Sequence, residues 1–444
     1  MKQIRLSEHF TYSKLLRFVL PSITMMIFTS IYSVVDGLFV SNYAGKTPFA
    51  AINLIYPLLM ITGALGFMIG TGGTAIVART LGEQKHEEAN RYFTMLVWVT
   101  IIGGFIITLA GQLFLPAIAV LLGASGEMLD NCVLYGRITL TALPFFMLQN
   151  VFQSFFVTAE KPKLGLAVTV ASGCANILLD ALFVAVFSWG LAGAALATAA
   201  SQIVGGVIPL FYFSRENRSL LRFCKTKYYG HILANTCLNG SSELMSSVAS
   251  SIVTILFNFQ LLRLAGEDGV AAFGVIAYIS FIFAAIFLGY AVGSAPIVSF
   301  HYGADHTAEL KSLLGKSLTL MGLGGIAMTL LSLILSAPVS RIFVGYDAEL
   351  YAMTVRGFRI YSIAFLLCGF NIYGSAFFTA LNNGLVSAVI SFLRSLVFQS
   401  VCVLLLPVFL GLDGIWLALL TSELLSLTVT IGFLMKNGKK YRYI

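Results

Sequence analysis

Apolar runs of twenty residues or more recur from one end of this 444-residue chain to the other, each long enough to cross a ~30 Å hydrocarbon layer as a helix. They fall at 18–40, 48–78, 93–117, 131–157, 164–187, 190–213, 232–262, 269–299, 313–336, 350–379, 385–409 and 412–435. Only 10% of the residues are charged, against roughly 25% in a soluble domain. A segment in hydrocarbon must satisfy its own backbone hydrogen bonds. The expected fold class is therefore an all-α polytopic membrane protein with about twelve transmembrane helices. The first run is longer than a signal-peptide core and no small-residue cleavage site follows it, so it reads as a retained helix.

The net charge of +8 is spread over alternate loops. One set holds Arg5, Lys14, Arg17, Arg79, Lys85, Lys161, Lys163, Lys311, Lys316, Lys439 and Lys440, together with the 214–230 stretch SRENRSLLRFCKTKYYG, whose charges read as a solvated face. The opposite set holds little beyond Lys46, Arg263 and Arg341. The excess of Lys and Arg on one side places both termini in the cytoplasm of a multi-pass plasma or inner membrane protein. No domain gathers the basic residues, which argues against a nucleic-acid partner. The six cysteines show no CxxC spacing, and all but Cys224 sit in apolar runs. Buried thiols are expected, with no metal site and no cofactor.

A shift of 221 residues brings the two halves into register. It aligns Ala44, Gly45, Ala50 and Ala51 with Ala265, Gly266, Ala271 and Ala272, and Gly72, Ile76, Val77 and Gly82 with Gly293, Ile297, Val298 and Gly303. It also aligns Asn150, Phe156, Thr158 and Ala159 with Asn371, Phe377, Thr379 and Ala380. Each half carries an even number of spans, so the copies are parallel, an arrangement found in transporters whose substrate site lies between the halves. The expected organisation is an N-lobe at 1–213, a cytoplasmic linker at 214–231 and a C-lobe at 232–444, forming two pseudo-symmetric six-helix bundles in a monomer.

A charge at a helix centre costs ~2.5–3.5 kcal/mol on insertion scales, so each one is a functional candidate. Asp36 and Asp180, the latter in NILLDALFV at 176–184, each lie about seven residues from the outer end of their run, ~10 Å deep at 1.5 Å per residue. Asn176 and Ser172 precede Asp180 at four-residue steps on one helix face, and Thr198 reaches a similar depth on the next helix. Two carboxylates, a carboxamide and a hydroxyl at one level suit Na⁺ or a shared proton.

Pro21, Tyr32 and Asp36 in the first helix, the NxxxD of the fifth and the GLAGAALAT at 190–198 of the sixth together resemble the MATE (multidrug and toxic compound extrusion) transporters, in particular the DinF/MepA-like branch. The resemblance extends over nearly the whole chain. It implies a twelve-helix MATE fold and a secondary-active exporter that antiports amphipathic or cationic organic compounds against H⁺ or Na⁺. It further implies that Asp36, Asn176, Asp180 and Thr198 bind the coupling ion, and that the first helix bends about Pro21. Membrane lipid is the other expected partner. The alternative within the superfamily is a flippase of lipid or lipid-linked oligosaccharide, which should have a strongly cationic cavity.

The second half does not repeat the ion site, since the shift sets Phe257, Val397 and Val401 against Asp36, Asn176 and Asp180. It carries instead Glu243, Arg394 and Glu423, all near the midplane and expected to form a charge cluster. Residues proposed to line a substrate cleft are Tyr32, Tyr135, Asn150, Gln153, Asn371 and Glu243, with Tyr56, Tyr278 and Tyr373 as further aromatic candidates. A cleft of this kind would hold large cations by apolar burial and cation–π contact. HYGADH at 301–306 spaces its histidines by five, a poor match to a metal-binding helix, and GTGGT at 70–74 has no phosphate-loop lysine. No enzyme is indicated.

Overall fold

The computed structural model describes residues 4–43 and 46–443, with the side chains of residues 33, 34, 36–43, 46, 49 and 50 outside that description. The first half consists of α1 (Tyr12–Tyr43), α2 (Lys46–Gly82), α3 (His86–Leu121), α4 (Gly126–Thr141), α5 (Leu143–Thr158), α6 (Pro162–Asp180), which runs on through a π-helical turn at Ala181–Val186, and α7 (Gly190–Ser214). The second consists of α8 (Gly230–Gly303), α9 (Thr307–Val344), α10 (Ala348–Ser362), α11 (Phe365–Ala380), α12 (Gly384–Phe392), a π-helical turn at Leu393–Phe398, α13 (Gln399–Leu410) and α14 (Leu412–Tyr441).

These elements make twelve crossings. The pairs α4/α5 and α10/α11 are each one span bent, by 54° and 46°. The 74 residues of α8 would measure ~110 Å as a straight helix, far more than a bilayer needs. The chain instead turns back at Gly266, whose φ of 64° and ψ of −150° suit glycine alone. Helices outrun the apolar stretches at several ends: α3 begins at His86 and α9 runs to Val344. Polar turns continue a helix into the headgroup layer, where hydrophobicity no longer marks it.

Helices α1–α7 pack on one another, as do α8–α14, and the halves meet where α1 and α2 lie along α8. Glycine permits this approach on the end that carries the basic loops. A Cβ on Gly82 would run into the Phe300 carbonyl, and one on Gly303 into that of Arg79; the two glycines are repeat mates. Asn382 adds a polar tie, donating to Ala75 O (3.3 Å) and accepting from Asn239 (2.9 Å). The segment before α1 bridges the halves on the same end. Leu6 N donates to Glu160 Oε1 at 2.6 Å, while Phe10 N donates to Glu309 Oε1 at 2.9 Å and His9 Nδ1 lies 2.6 Å from Glu309 Oε2. Burial pushes the Glu160 carboxyl up from its usual range, and the Leu6 N–H draws it back.

The stretch between the halves is not simply solvated. Its basic side chains are exposed, but its backbone is fastened to α3: Asn90 Oδ1 accepts from Arg222 N (2.7 Å), Thr94 Oγ1 from Cys224 N (3.2 Å), and Phe223 stacks on Phe93 at 5.3 Å. The charge run hides an apolar and polar anchor of alternate residues. Cys174 also departs from expectation, being exposed on the outer face of α6, whereas Cys132, Cys368 and Cys402 are buried. Replacing Asn90 with Ala removes the acceptor for Arg222 N, a loss of about 1–3 kcal/mol. Limited trypsin digestion in detergent should then cut residues 215–227 faster than in the parent protein; an unchanged rate would show that Asn90 does not hold the linker.

Candidate functional site

In the first half, α6 presents Ser172, Asn176 and Asp180 on one face at four-residue spacing, and all three are buried. Ser172 Oγ donates to Ser201 O at 2.7 Å and Ser201 Oγ to Thr198 O at 2.8 Å, which seams α6 to α7 at this depth. Asn176 Oδ1 and Thr198 Oγ1 are buried and have no hydrogen-bond partner among the described residues. Gln202 Oε1 shares that condition. Sequence reading passed over Gln202, although it follows Thr198 by one helical repeat of four, the spacing that picked out Asn176 and Asp180.

The wall opposite is α1. It approaches α6 at Gly173, where a Cβ would collide with the Phe28 ring and lie 3.0 Å from Tyr32 Cδ1. Tyr32 is half-buried there, with its ring 6.1 Å from that of Phe28. Asp36 follows Tyr32 by four residues in α1, but its side chain lies outside the described residues. Immediately after Asp180 the helix loosens into the π-helical turn, a rare geometry frequent at functional positions. Asp180 itself is fully buried. The arrangement is thus a buried carboxylate on α6 with carboxamide and hydroxyl oxygens nearby that no donor among the described residues claims, along the seam of α6 and α7.

In the second half, Arg394 sits in the other π-helical turn and faces Glu423 of α14. Its Nη2 and Nε lie 2.7 and 2.8 Å from Glu423 Oε1, and Nε also reaches Oε2 at 3.1 Å. Asn371 of α11 donates from Nδ2 to Glu423 Oε2 (2.7 Å) and to Glu423 O (2.9 Å), and its own Oδ1 accepts from Thr430 Oγ1 at 2.9 Å. Glu423 is fully buried and the Arg394 side chain is 19% exposed. Glu243 does not join them. No ion pair of Glu243 occurs among the described residues, and its carbonyl accepts from Ser247 Oγ at 3.0 Å. The expected three-member cluster is a pair, because the guanidinium fork and Asn371 already saturate one carboxylate.

The proposed cleft residues fare unevenly. Asn150 donates to Gly63 O of α2 at 3.1 Å inside the first half, and Asn371 is spent on Glu423. Tyr135 and Gln153 are buried, Tyr135 in an apolar cluster of the first half and Gln153 with an Oε1 that has no partner among the described residues. Asn150 and Asn371 are thus committed within their own halves rather than to an open path between them. The physical reason is visible in α5, which is buried on nearly all sides from Leu143 to Thr158: a carboxamide that avoids lipid can be satisfied between helices of one lobe as well as in a cleft. Tyr373 is likewise buried, while Tyr56 and Tyr278 are exposed.

The MatE family model matches the chain twice, over residues 21–182 and 244–404. The chain belongs to the MatE family, a family of membrane transporters. The two matches sit nearly one repeat apart, so the internal duplication is a duplication of the family unit itself. Among curated MatE-type relatives, the multidrug export protein MepA of Staphylococcus haemolyticus (strain JCSC1435) is 22% identical over 417 residues, covering 94% of this chain and 91% of that protein. MepA of Staphylococcus saprophyticus is 23% identical, with coverage of 93% and 91%. The fold is that of solved MATE structures. A MATE in complex with MaL6 superposes with a TM-score of 0.93 at 21% identity over 99% of this chain and 98% of that one. An outward-facing multidrug resistance MATE transporter of the MOP superfamily superposes with a TM-score of 0.93 at 21% identity over all of both chains.

Arg394→Met should leave the buried Glu423 carboxyl without its guanidinium partner, at a cost of about 3–5 kcal/mol. Combining it with Glu423→Gln should recover most of that loss. Thermal unfolding of the purified single and double variants measures both, and a double variant no more stable than the single would show that the pair is not the source.

Proposed function

We propose that this protein is a secondary-active multidrug exporter of the cell membrane, antiporting amphipathic or cationic organic compounds against H⁺ or Na⁺ by alternating access between its halves. Both termini face the cytoplasm on this reading, because the loops rich in Lys and Arg share one end of the bundle with them. The observation that carries the reading is the pair of buried oxygens on Asn176 and Thr198 that have no partner among the described residues, on the seam that holds the buried Asp180, in a chain related along its length to MepA. Buried polar atoms without partners are costly, and a small cation repays that cost through the same oxygens. Asp36 supplies the second carboxylate on the strength of its depth in the sequence.

Ion binding is coupled to the path by α1, which packs on α6 beside this cluster and on α8 across the divide. The helix runs unbroken through Pro21, whose ring cannot donate to the carbonyl four residues earlier, so α1 is softest there. The substrate cleft lies between α1, α2 and α8, where Tyr32, Tyr56 and Tyr278 offer ring faces to organic cations. One charge crossing 100 mV releases ~2.3 kcal/mol, more than the ~1.4 kcal/mol of a tenfold gradient. One ion is enough for useful export.

In vesicles with imposed pH or sodium gradients, the parent protein should drive ethidium uptake and Asp180→Asn should reduce it to the background of vesicles lacking the protein. Asn176→Ala and Thr198→Val should each raise the ion concentration for half-maximal transport by about tenfold, the equivalent of one lost hydrogen-bond-strength contact. Full gradient-driven transport by Asp180→Asn would sink the ion assignment. Pro21→Ala should fold and bind ethidium but exchange it more slowly; parental exchange rates would remove Pro21 from the cycle.

A further inference from the structure

The halves share a register but not a chemistry. The repeat sets Asp36, Asn176, Asp180 and Thr198 against Phe257, Val397, Val401 and Leu419, so no oxygen-bearing side chain survives at the four positions. Phe257 is buried and stacked on Phe273 at 4.7 Å. The same repeat sets Gly173 and Gln202 against Arg394 and Glu423. Where the first half has a glycine packed against the Phe28 and Tyr32 rings and a glutamine oxygen without a partner among the described residues, the second carries a guanidinium and a carboxylate.

That guanidinium engages its partner through Nε and Nη2. Glu423 Oε1 takes two Arg394 donors, Oε2 takes Arg394 Nε and Asn371 Nδ2, and Thr430 closes the network on Asn371. The other titratable groups beside the pair are Tyr361 of α10 and Cys368 of α11. Arg keeps its charge at every accessible pH and matches a carboxylate with a planar fork. A free ion or proton at Glu423 would have to displace a cation that is covalently held in place.

We propose that Arg394 is a tethered cation, a residue that fixes ion stoichiometry by supplying permanently, in the second half, the positive charge that the first half takes from solution. Glu423 therefore binds no ion while Arg394 is present, and removing the arginine creates an additional cation site. The inference rests on the ion-coupled reading above only in calling the first half the active one.

The test counts cations bound by purified protein in detergent, as protons taken up after a pH step in weak buffer and as radiolabelled sodium at equilibrium. The parent and Arg394→Met/Glu423→Gln should bind the same number. Arg394→Met should bind one more, and Glu423→Gln in that background should abolish the gain. A double variant that binds one fewer than the parent, or a folded Arg394→Met that gains none, overturns the proposal. The neutral double variant keeps the comparison with the parent decisive should the single variant fail to fold. Asp180→Asn in the parent separates the two ideas. If it changes no cation count, the first-half assignment falls, while the Arg394 comparison still stands or fails by itself. Glu243→Gln, measured alongside, reports whether any second-half ion belongs to Glu243 instead.

Discussion

Hydrocarbon offers a polar atom nothing, so within this bundle every donor and acceptor must find its partner in the protein. Most do so in the cheapest way, as hydroxyls returning to the carbonyl one turn back: Thr100 to Leu96, Ser294 to Tyr290 and Ser340 to Ser336 are examples. Others stitch helices of one half together, as Asn150 does to Gly63 and Ser172 to Ser201. A minority have no partner among the described residues, in both halves, Thr236 and Tyr373 as well as Gln153, Asn176, Thr198 and Gln202; what sets Asn176 and Thr198 apart is the buried carboxylate of Asp180 one turn along α6 from Asn176. Asn176 and Thr198 lie along the α6–α7 seam that also carries Asp180, where a buried oxygen without a donor is costly.

Duplication explains how one framework comes to carry different chemistry in its two halves. Both copies kept the features that make a bundle close: the glycines at 82 and 303, the small residues near 193 and 414, and the carboxamides at 150 and 371. Each copy also has a π-helical turn in its fifth span, at Ala181–Val186 and Leu393–Phe398, although the two turns lie about nine residues apart in the repeat register. The polar cargo of the seams diverged. One copy has carboxylate and amide oxygens, the other an ion pair sealed by Asn371 and Thr430. A framework set by backbone packing thus tolerates opposite electrostatics at related positions.

The crossings were legible in the sequence because a long apolar run has one outcome in a bilayer, whereas the ends were less so, since α3 and α9 run on past the apolar stretch by about one to two turns. The repeat was legible because glycines at close approaches cannot be replaced without moving a carbonyl. Partnership was less so. Depth along a helix places Glu243, Arg394 and Glu423 at one level but says nothing about azimuth, and the fork of Arg394 selects Glu423 alone. Asn150 and Asn371 were read as cleft residues from their cost in lipid, yet that cost is equally met inside a lobe. Gln202 went unnoticed as an uncharged residue, and Asn90 and Thr94 because anchoring a distant strand of chain leaves no periodic trace.

The fastening of residues 222–226 along α3 has a mechanical consequence. A connection hydrogen-bonded to one lobe is part of that lobe, so if the two bundles rock against each other, the stretch from Arg215 onward travels with the first. The pivot between covalently joined bodies then shrinks to the few bonds around Tyr229 and Gly230, where the chain leaves Met95 and enters α8. A joint that short restrains sliding and twisting far more than tilting, which leaves a hinge-like swing as the motion the connection permits.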